Sequence, residues 1–442
     1  MSDTALTRPT SSQSGTQRRM FALDFDIYLF LAMAVLCAMG FLMVYSASIS
    51  PSFLATEDAT TTYFFRLHVR NFVIGFMVMA LLVMIDYRVW KRFSLWIMLG
   101  TILTLVIVLQ FGEQRLAAQR SLFEGSVQPG EFAKLAVVIY MAAWLASRQR
   151  QLKNISYGLL PFGILVGLTC FLLVLQPDLS TAATILATSL TLFFLAGADW
   201  LQLGLLAGGA GGLGYMLITR LPYAQSRIAD HLAAIQDLTQ ANEHVQAAVE
   251  AFLNGQLFGV GLGEGTQKFG RLPFPHTDSI FAVIGEELGL MGSFLVLSLF
   301  VVLVYRGFVV ARNAPDLFGA LVSSGVVLWI AYDAILNIAV MTALVPPTGV
   351  PLPFISFGGS SLVTAMAGVG LVLSVSRQAA RTPPERAERP VALPLDARLA
   401  EQPEASATPS EAEKENARET PAVSGRYRRG HISRVSRRQR DT

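Results

Sequence analysis

Residues 272–290, LPFPHTDSIFAVIGEELGL, place a histidine and an aspartate immediately before an apolar run that continues to about residue 305. Pro273 and Pro275 prevent a helix from starting earlier, because proline lacks an N–H group and restricts the residue before it. The run is long enough to cross a bilayer, which needs about 20 mostly apolar residues. The stretch therefore predicts a membrane span whose entrance carries a carboxylate, Asp278.

The composition of the whole chain agrees with a membrane protein. Of its 442 residues, 53% are hydrophobic and 15% are charged, and the mean hydropathy is +0.50. These values lie outside the range of soluble globular proteins. The histidines show no paired metal-ligand spacing and both cysteines lie in apolar runs, so neither a metal site nor a disulfide is predicted. The fold class indicated is an all-α polytopic membrane protein.

The apolar runs divide the chain into about ten transmembrane helices. The predicted intervals are 27–48, 72–86, 94–110, 132–146, 158–176, 179–197, 201–219, 280–305, 318–343 and 360–376. The first run is too long for the apolar part of a signal peptide and lacks a cleavage site, so we expect it to remain as a span.

Positive charge orients these spans. The short segments DYRVWKRF (86–93), SRQRQLKN (147–154) and YRGFVVARN (305–313) are basic and are expected on the cytoplasmic side. Both termini then face the cytoplasm, and a large extracytoplasmic loop of one or two amphipathic helices occupies about residues 220–278. The predicted domains are a cytoplasmic tail (1–25), a transmembrane domain (26–377) and a tail (378–442) too polar to fold alone, which we expect to be disordered.

Asp278 admits two interpretations. Aspartate is a favoured N-cap and suits the positive end of the helix dipole, so this residue could simply begin the span. It could also serve as a general base where the membrane meets water.

Further charged residues lie inside or beside predicted spans. Glu286 and Glu287 follow Asp278 by about 12 Å along a continuous helix. Charge at mid-membrane is costly, so both should face protein or a polar cavity, with Lys134 as a plausible partner. Lys134 lies three residues after Glu131, which indicates either a local ion pair or a cation directed at an anionic lipid headgroup.

Three other motifs lie between predicted spans. In QPDLS (176–180), Asp178 is expected to cap the following helix. In TGVPLPFISFGGSS (348–361), prolines and glycines exclude a straight helix, and the stretch is predicted to be a re-entrant segment that lines a cleft. The glycines of GVGLGEGTQK (259–268) match no nucleotide-binding pattern and predict a hinge or a close approach to a polar headgroup.

Four of these motifs together resemble the FtsW/RodA/SpoVE family, also called SEDS proteins. They are QPGEFAKL (128–135), QPDLS, LPFPHTDSIFAVIGEELG (272–289) and PPTGVPLPFISFGGSS (346–361), which occur in the family's order. The resemblance spans about residues 25–377 and is stronger to the division and sporulation branch. Known members are ten-span inner-membrane proteins that polymerise lipid II into the glycan strands of peptidoglycan, so the resemblance implies this fold, location and activity.

The resemblance also implies roles for single residues. Asp278 matches the family's catalytic aspartate, Lys134 its functional lysine, and Arg120 an arginine of the preceding outer loop. The residues predicted to bind substrate are Arg120, Lys134, Glu131, Gln128, His276, Lys268, Arg227 and Ser360. The residues predicted to shape the cleft are Glu286, Glu287, Asp178, Pro351, Gly358 and Gly359. Ser121 and Ser279 stand where the family often has Trp and Phe.

The expected chemistry follows from the implied substrate. Forming a β-1,4 bond from an α-linked donor requires inversion, which needs a base for the acceptor hydroxyl and positive charge on the departing pyrophosphate. Asp278 is the predicted base, and the predicted cations are Arg120, Lys134, Lys268 and Arg227, with Mg²⁺ or Mn²⁺ as a hypothetical addition.

The resemblance further implies lipid II, a growing glycan strand and a class B penicillin-binding protein transpeptidase as partners, with divisome proteins for a division member and no nucleic acid. Two other functions stay open. The chain could be a lipid II flippase that uses the same cleft, or a non-catalytic scaffold that recruits a cell-wall synthase.

Overall fold

The computed structural model describes residues 25–56, 60–115, 118–121, 128–152, 158–236 and 243–381. Within these ranges the regular secondary structure is helical, including one 3₁₀ turn at Gln149–Gln151, apart from one short hairpin. The helices are α1 (Ile27–Ala47), α2 (Ile49–Ala55), α3 (Tyr63–Met84), α4 (Arg88–Phe111), α5 (Pro129–Ser147), α6 (Leu160–Leu175), α7 (Leu179–Leu195), α8 (Trp200–Arg220), α9 (Pro222–Gln236), α10 (Glu243–Gly255), α11 (Ile280–Arg312), α12 (Leu317–Met341) and α13 (Gly359–Arg381).

The hairpin departs from the all-α expectation. Strands β1 (Glu113–Arg115) and β2 (Ala118–Ser121) pair antiparallel between α4 and α5. Such short polar strands carry no apolar periodicity, so the pattern that locates the spans gives no sign of them.

Seven of the described helices are long and apolar enough to cross a membrane, namely α1, α3, α4, α5, α11, α12 and α13. Helices α6 and α7 are apolar but shorter. Each of the ten predicted intervals overlaps a helix, with α8 on 201–219. The chain is therefore a multi-pass membrane protein.

The main differences from prediction are at helix ends. Helix α3 begins at Tyr63, nine residues before the predicted start, and α11 continues to Arg312. Backbone hydrogen bonds extend a helix past its apolar part into polar residues, which a count of apolar residues does not register.

Aspartate side chains begin several of the helices. Asp26 accepts a hydrogen bond from the N–H of Leu29 at the start of α1, and Asp316 accepts one at the start of α12. Asp178 accepts from the N–H of Thr181 at the start of α7, which confirms its predicted capping role. Helix α5 begins differently, with Pro129 at its first position, where the missing N–H has no helical partner to lose.

Helices α5, α12 and α13 form the centre of the bundle, and most of their side chains are buried. Helix α13 packs along α3, α11 packs against α12 and α1, and α4 and α7 pack against α5. This arrangement brings helix ends from distant parts of the sequence together.

At one end of the bundle, which we call the site end, the C-terminal ends of α1 and α12 meet the N-terminal ends of α5, α7, α11 and α13. The hydrogen bonds that join them are Ser46 Oγ to Glu287, Gln128 N to Ser360 Oγ, Ser180 Oγ to Thr348 O, and Asn337 Nδ2 to Asp278 O. Thus residues from all four sequence motifs lie at the same end.

The opposite end, which we call the basic end, contains residues of two of the three segments predicted to be cytoplasmic. Arg306 forms an ion pair with Asp26, and Arg88 forms one with Asp316. Arg377 donates to a carbonyl at the end of α3.

Helices α9 and α10 confirm the prediction of amphipathic helices in the long loop. The tails predicted at 1–25 and 378–442 lie almost entirely outside the described residues, and the proposed domain division stays a prediction.

Candidate active site

Asp278 lies in the turn before α11, one residue ahead of the N-cap of that helix, Ser279. The Ser279 hydroxyl makes no capping hydrogen bond and donates instead to the carbonyl of Pro273 at 2.7 Å. Asp278 therefore does not occupy the N-cap position that one interpretation gave it. Its side chain is half-buried.

An irregular segment, residues 342–358, packs against the turn that carries Asp278. The Ser356 hydroxyl donates to the carbonyl of Thr277 at 2.7 Å, and the N–H of Phe357 donates to the carbonyl of His276 at 2.8 Å. Val350, Leu352, Phe354 and Ile355 of the segment are buried, whereas Leu344 near its start is exposed. The prediction of irregular backbone packed against protein is therefore confirmed for the part of the segment around these four residues. Its re-entry into the membrane stays a prediction.

Gly349 of the irregular segment also lies beside the Asp278 carboxylate. Gly349 has a φ of +74°, and a Cβ built on it would lie 3.3 Å from Asp278 Oδ2. On the other side, Asn337 Nδ2 of α12 donates to the carbonyl of Asp278 at 2.8 Å and to that of Val350 at 2.7 Å. Asp278 is thus held between α12 and the irregular segment.

Lys134 is buried in a cluster of charges between α5 and α12. Its Nζ lies 2.8 Å from Asp333 Oδ2 and 3.0 Å from Glu131 Oε1, and all three side chains are almost completely buried. Asp333 also accepts hydrogen bonds from Thr184 at 3.0 Å and Trp329 at 2.8 Å. The local ion pair predicted for Lys134 and Glu131 is confirmed, and this burial disfavours a direct contact between Lys134 and a phosphate.

Asp333 and Asn337 connect this cluster to Asp278, because they lie one turn apart on the same face of α12. Sequence reasoning missed both residues. The signal was present, since the run LWIAYDAILNIAV (328–340) has an acid and an amide four residues apart in an otherwise apolar helix. Polar residues inside a span usually face other protein groups and mark functional positions.

Glu286 and Glu287 do not pair with Lys134, and that part of the prediction is wrong. Glu287 binds Lys268 Nζ at 2.6 Å and accepts from Ser46 Oγ at 2.7 Å. Glu286 accepts from the N–H groups of the glycine-rich segment (259–268), including that of Thr266 at 3.0 Å. Both acids have structural partners, as expected, but most of those partners come from the long loop.

Lys268 is consequently unavailable as a pyrophosphate ligand. An ammonium group has three N–H donors, and Lys268 directs them to Glu287, to Ser46 Oγ at 2.8 Å and to the carbonyl of Gly263 at 2.7 Å. The side chain is 1% exposed. The predicted role of Lys268 at the substrate is corrected to a structural one.

The glycine-rich segment and the residues before it pair with a break in α11. Gly289 has non-helical angles (φ 70°, ψ −165°), which end a short first part of α11 and start a second. The carbonyl of Glu287 accepts from Gly261 N, and the N–H of Met291 donates to Leu257 O, each at 3.1 Å. The backbone groups released by the break are thereby satisfied, as irregular backbone in such a protein requires.

Other predicted residues are brought together in pairs. The N–H of Gln128 donates to the Ser360 hydroxyl at 2.8 Å. A Cβ built on Gly358 would lie 3.7 Å from Pro351, and Gly359 begins α13. Asp178 Oδ2 lies 3.3 Å from a Cβ built on Gly130, so α5 and α7 begin side by side.

His276 is buried between two aromatic rings, with centroids 4.5 Å from Phe64 and 5.5 Å from Phe357. Burial lowers the pKa of His276 to about 4, so the ring is neutral near pH 7. A neutral, buried imidazole is a poor ligand for an anionic substrate, and its predicted substrate contact is disfavoured. Arg227 is half-buried on α9, while Arg120 has its backbone in β2 and its side chain outside the described structure.

Fold and site together define a multi-pass membrane protein that holds a half-buried carboxylate against an irregular, proline- and glycine-rich segment at one end of its helix bundle. A family model described as cell cycle protein, FtsW/RodA/SpoVE, matches residues 27–381. The chain belongs to this family, as the sequence motifs predicted.

Individual relatives are similar over most of their length. The chain is 36% identical over 360 residues to stage V sporulation protein E of Bacillus subtilis, covering 80% of this chain and 97% of that protein. It is 37% identical over 360 residues to the probable peptidoglycan glycosyltransferase FtsW of a Geobacter species, covering 80% of this chain and 96% of that protein.

Solved structures are also similar to this chain over most of their length. A chain of a peptidoglycan synthase complex that coordinates polymerization and crosslinking is similar with a TM-score of 0.65 and 26% identity, over 80% of this chain and 98% of that one. The rod shape determining protein RodA of Thermus thermophilus is similar with a TM-score of 0.60 and 26% identity, over 80% of this chain and 97% of that one.

Proposed function

We propose that this chain is a peptidoglycan glycosyltransferase, acting in cell division or cell shape, that polymerises lipid II into β-1,4-linked strands with inversion. Its similarity to proteins named peptidoglycan glycosyltransferase covers four-fifths of the chain. The geometry of Asp278 adds a physical reason to propose this activity.

One observation carries the assignment of Asp278 as the base. Six of the described acids lie at or next to the helix ends that meet at the site end, and five of them are at most 5% exposed: Glu131, Asp178, Glu286, Glu287 and Asp333. These five cap a helix or bind protein donors. Asp278 differs because its side chain is half-buried, so a ligand at the site end could reach it.

In the proposed reaction, Asp278 takes the proton of the 4-hydroxyl of the acceptor sugar. The resulting oxygen nucleophile bonds to the anomeric carbon of the donor from the face opposite the pyrophosphate, and the bond between that carbon and the pyrophosphate oxygen breaks. The departing pyrophosphate carries the electron pair and requires positive charge nearby. Arg120 and Arg227 are the remaining candidates for that charge among the predicted cations, since Lys134 and Lys268 lie in buried ion pairs.

A divalent cation, Mg²⁺ or Mn²⁺, is a further proposal for the same step. No group of three or more His, Cys, Asp or Glu ligands occurs in the described part of the chain. Mg²⁺ commonly binds through one or two carboxylates and substrate phosphates. The protein ligands available here therefore fit an ion that is bound mainly by the pyrophosphate of the substrate.

The proposed setting is the bacterial cytoplasmic membrane, crossed ten times, with both termini in the cytoplasm and the site end outside. Support comes from the arginines of the basic end, Arg88, Arg306 and Arg377, because cytoplasmic segments carry an excess of Lys and Arg. A site end outside also suits a substrate whose sugar is in water and whose lipid is in the bilayer.

A class B penicillin-binding protein is the proposed partner, with divisome proteins if the chain acts in division. The similarity to one chain of a peptidoglycan synthase complex supports this proposal. Lipid II and the growing glycan strand are the proposed substrates.

The test is polymerisation of lipid II by the purified protein, alone and with its cognate transpeptidase. Asp278→Asn keeps the shape of the side chain and removes its basicity, so turnover should fall by about 10² to 10⁴. Binding of lipid II and thermal unfolding should change little.

Other results would identify the competing functions. Translocation of labelled lipid II in liposomes without polymer in detergent indicates a flippase. Wild-type polymerisation by Asp278→Asn, with loss of function only on deletion of loop or tail segments, indicates a scaffold.

A further inference from the structure

Asn337 makes a side-chain contact with the Asp278 peptide. It is 2% exposed, near the end of α12. Its Nδ2 donates to the carbonyls of Asp278 and Val350 at 2.8 and 2.7 Å. Because both partners can only accept, they determine which way the amide points, and both of its N–H donors are used.

The two carbonyls belong to segments that are far apart in the sequence. Asp278 lies at the entrance to α11, whereas Val350 follows Gly349, on which a Cβ would lie 3.3 Å from the Asp278 carboxylate. Asn337 therefore links the Asp278 peptide to the residue after Gly349, in addition to the hydrogen bonds from Ser356 and Phe357 to the same turn.

The position of α12 itself does not depend on Asn337. One turn earlier, Asp333 binds Lys134 of α5, Thr184 of α7 and the indole of Trp329. Removal of the Asn337 amide should loosen the Asp278 peptide while α12 stays in place.

We propose that Asn337 is a positioning residue for the glycosyl transfer, holding the Asp278 carboxylate beside Gly349 in the orientation that accepts the sugar proton. The inference rests on the proposed function, in which Asp278 is the base. Small displacements of a reacting group have large effects, since a shift of about 1 Å can lower a rate about 10²-fold.

The experiment compares Asn337→Leu, which has a similar volume and no donors, with Ser180→Ala as a matched control. The Ser180 hydroxyl donates to the carbonyl of Thr348 at 2.7 Å, so its removal loosens the same irregular segment without touching Asp278. We expect Asn337→Leu to lower kcat for lipid II polymerisation by about 10- to 100-fold with KM changed by less than about threefold. Ser180→Ala should stay within about threefold of wild type in both constants.

Hydrogen–deuterium exchange gives a reading that does not depend on turnover. In Asn337→Leu, amides in residues 274–280 and 346–352 should exchange at least about fivefold faster, with α5 and the first half of α12 unchanged. If wild-type protein makes no glycan, the proposed function fails, while this exchange pattern still tests whether Asn337 holds the Asp278 turn.

Three results would overturn the inference. They are an equal loss of kcat in Ser180→Ala, a change in KM alone for Asn337→Leu, and faster exchange along the whole of α12, which would mean that Asn337 only stabilises the helix.

Discussion

Gly349 shows how closely backbone approaches the Asp278 carboxylate. Its φ of +74° disfavours any side chain, and a Cβ would lie 3.3 Å from Asp278 Oδ2. Gly270 is a matched position, with a φ of +100° and no atom within 4 Å of a Cβ. Both Gly→Ala variants should lose about 1 kcal/mol or more through backbone strain.

Only Gly349→Ala should also displace the carboxylate, so its turnover should fall at least about tenfold while that of Gly270→Ala stays near wild type. Thermal unfolding of the two variants measures the backbone strain, and lipid II polymerisation measures the effect of displacing the carboxylate. Equal turnover in the two variants would mean that the approach of Gly349 does not matter for the reaction.

The burial of the single residue His276 predicts that the stability of the protein depends on pH. Its pKa in the folded protein is about 4 because of burial, against 6.5 for an ordinary histidine. Between these values the unfolded chain holds a proton that the folded protein does not. Stability should therefore be complete above about pH 6.5 and decline as pH falls towards 4, by up to about 3 kcal/mol from this residue.

His276→Phe keeps a ring between Phe64 and Phe357 and removes the titrating group. Its unfolding temperature, measured in detergent from pH 7 to 4.5, should fall less with acid than that of wild type. His68, which also faces Phe357, is present in both proteins, so the difference isolates His276. Parallel curves for the two proteins would contradict the assignment.

At the scale of elements, the long loop takes part in two ion pairs that differ in burial. Lys268 and Glu287 are buried, whereas Arg271 and Glu250 are exposed by 68% and 45%. Removing one partner of a buried pair leaves an unpaired charge and costs about 3–5 kcal/mol, while an exposed pair contributes about 0–1 kcal/mol. Lys268→Met should therefore destabilise strongly and expose the glycine-rich segment to proteases, and Arg271→Met should do neither.

The double variant Lys268→Met with Glu287→Gln removes both charges and should recover part of the stability lost in Lys268→Met. Thermal unfolding and limited proteolysis of the single and double variants provide the measurement. A double variant less stable than Lys268→Met would indicate that Glu287 stabilises the segment mainly through Ser46 and Gly263.

The same elements show what the sequence can predict. Apolar run length locates the spans, and local rules identify the Asp178 cap and the irregular backbone around Pro351, because these features depend on neighbouring residues. Pairing of Lys268 with Glu287 and of Lys134 with Asp333 depends on which helices meet, which no local pattern encodes. The break at Gly289 was missed for a related reason, since the groups that satisfy it come from a loop some 30 residues earlier.

At the scale of the whole molecule, the two ends of the bundle differ in chemistry. The site end contains the buried acids and the irregular segment, and the basic end contains Arg88, Arg306 and Arg377. The part of α11 after Gly289 is about 34 Å long at about 1.5 Å per residue, enough for a hydrocarbon core of about 30 Å. A membrane should therefore separate the two ends.

Cysteine labelling tests this orientation. Phe274 is exposed at the site end and Asn313 is exposed at the basic end, and Cys37 and Cys170 can be replaced to remove background. A membrane-impermeant maleimide should label Phe274→Cys in intact spheroplasts and Asn313→Cys only after permeabilisation. The reverse pattern would place Asp278 in the cytoplasm, where it could not join sugars outside the membrane, and labelling of both in intact spheroplasts would mean that α11 does not separate the two compartments.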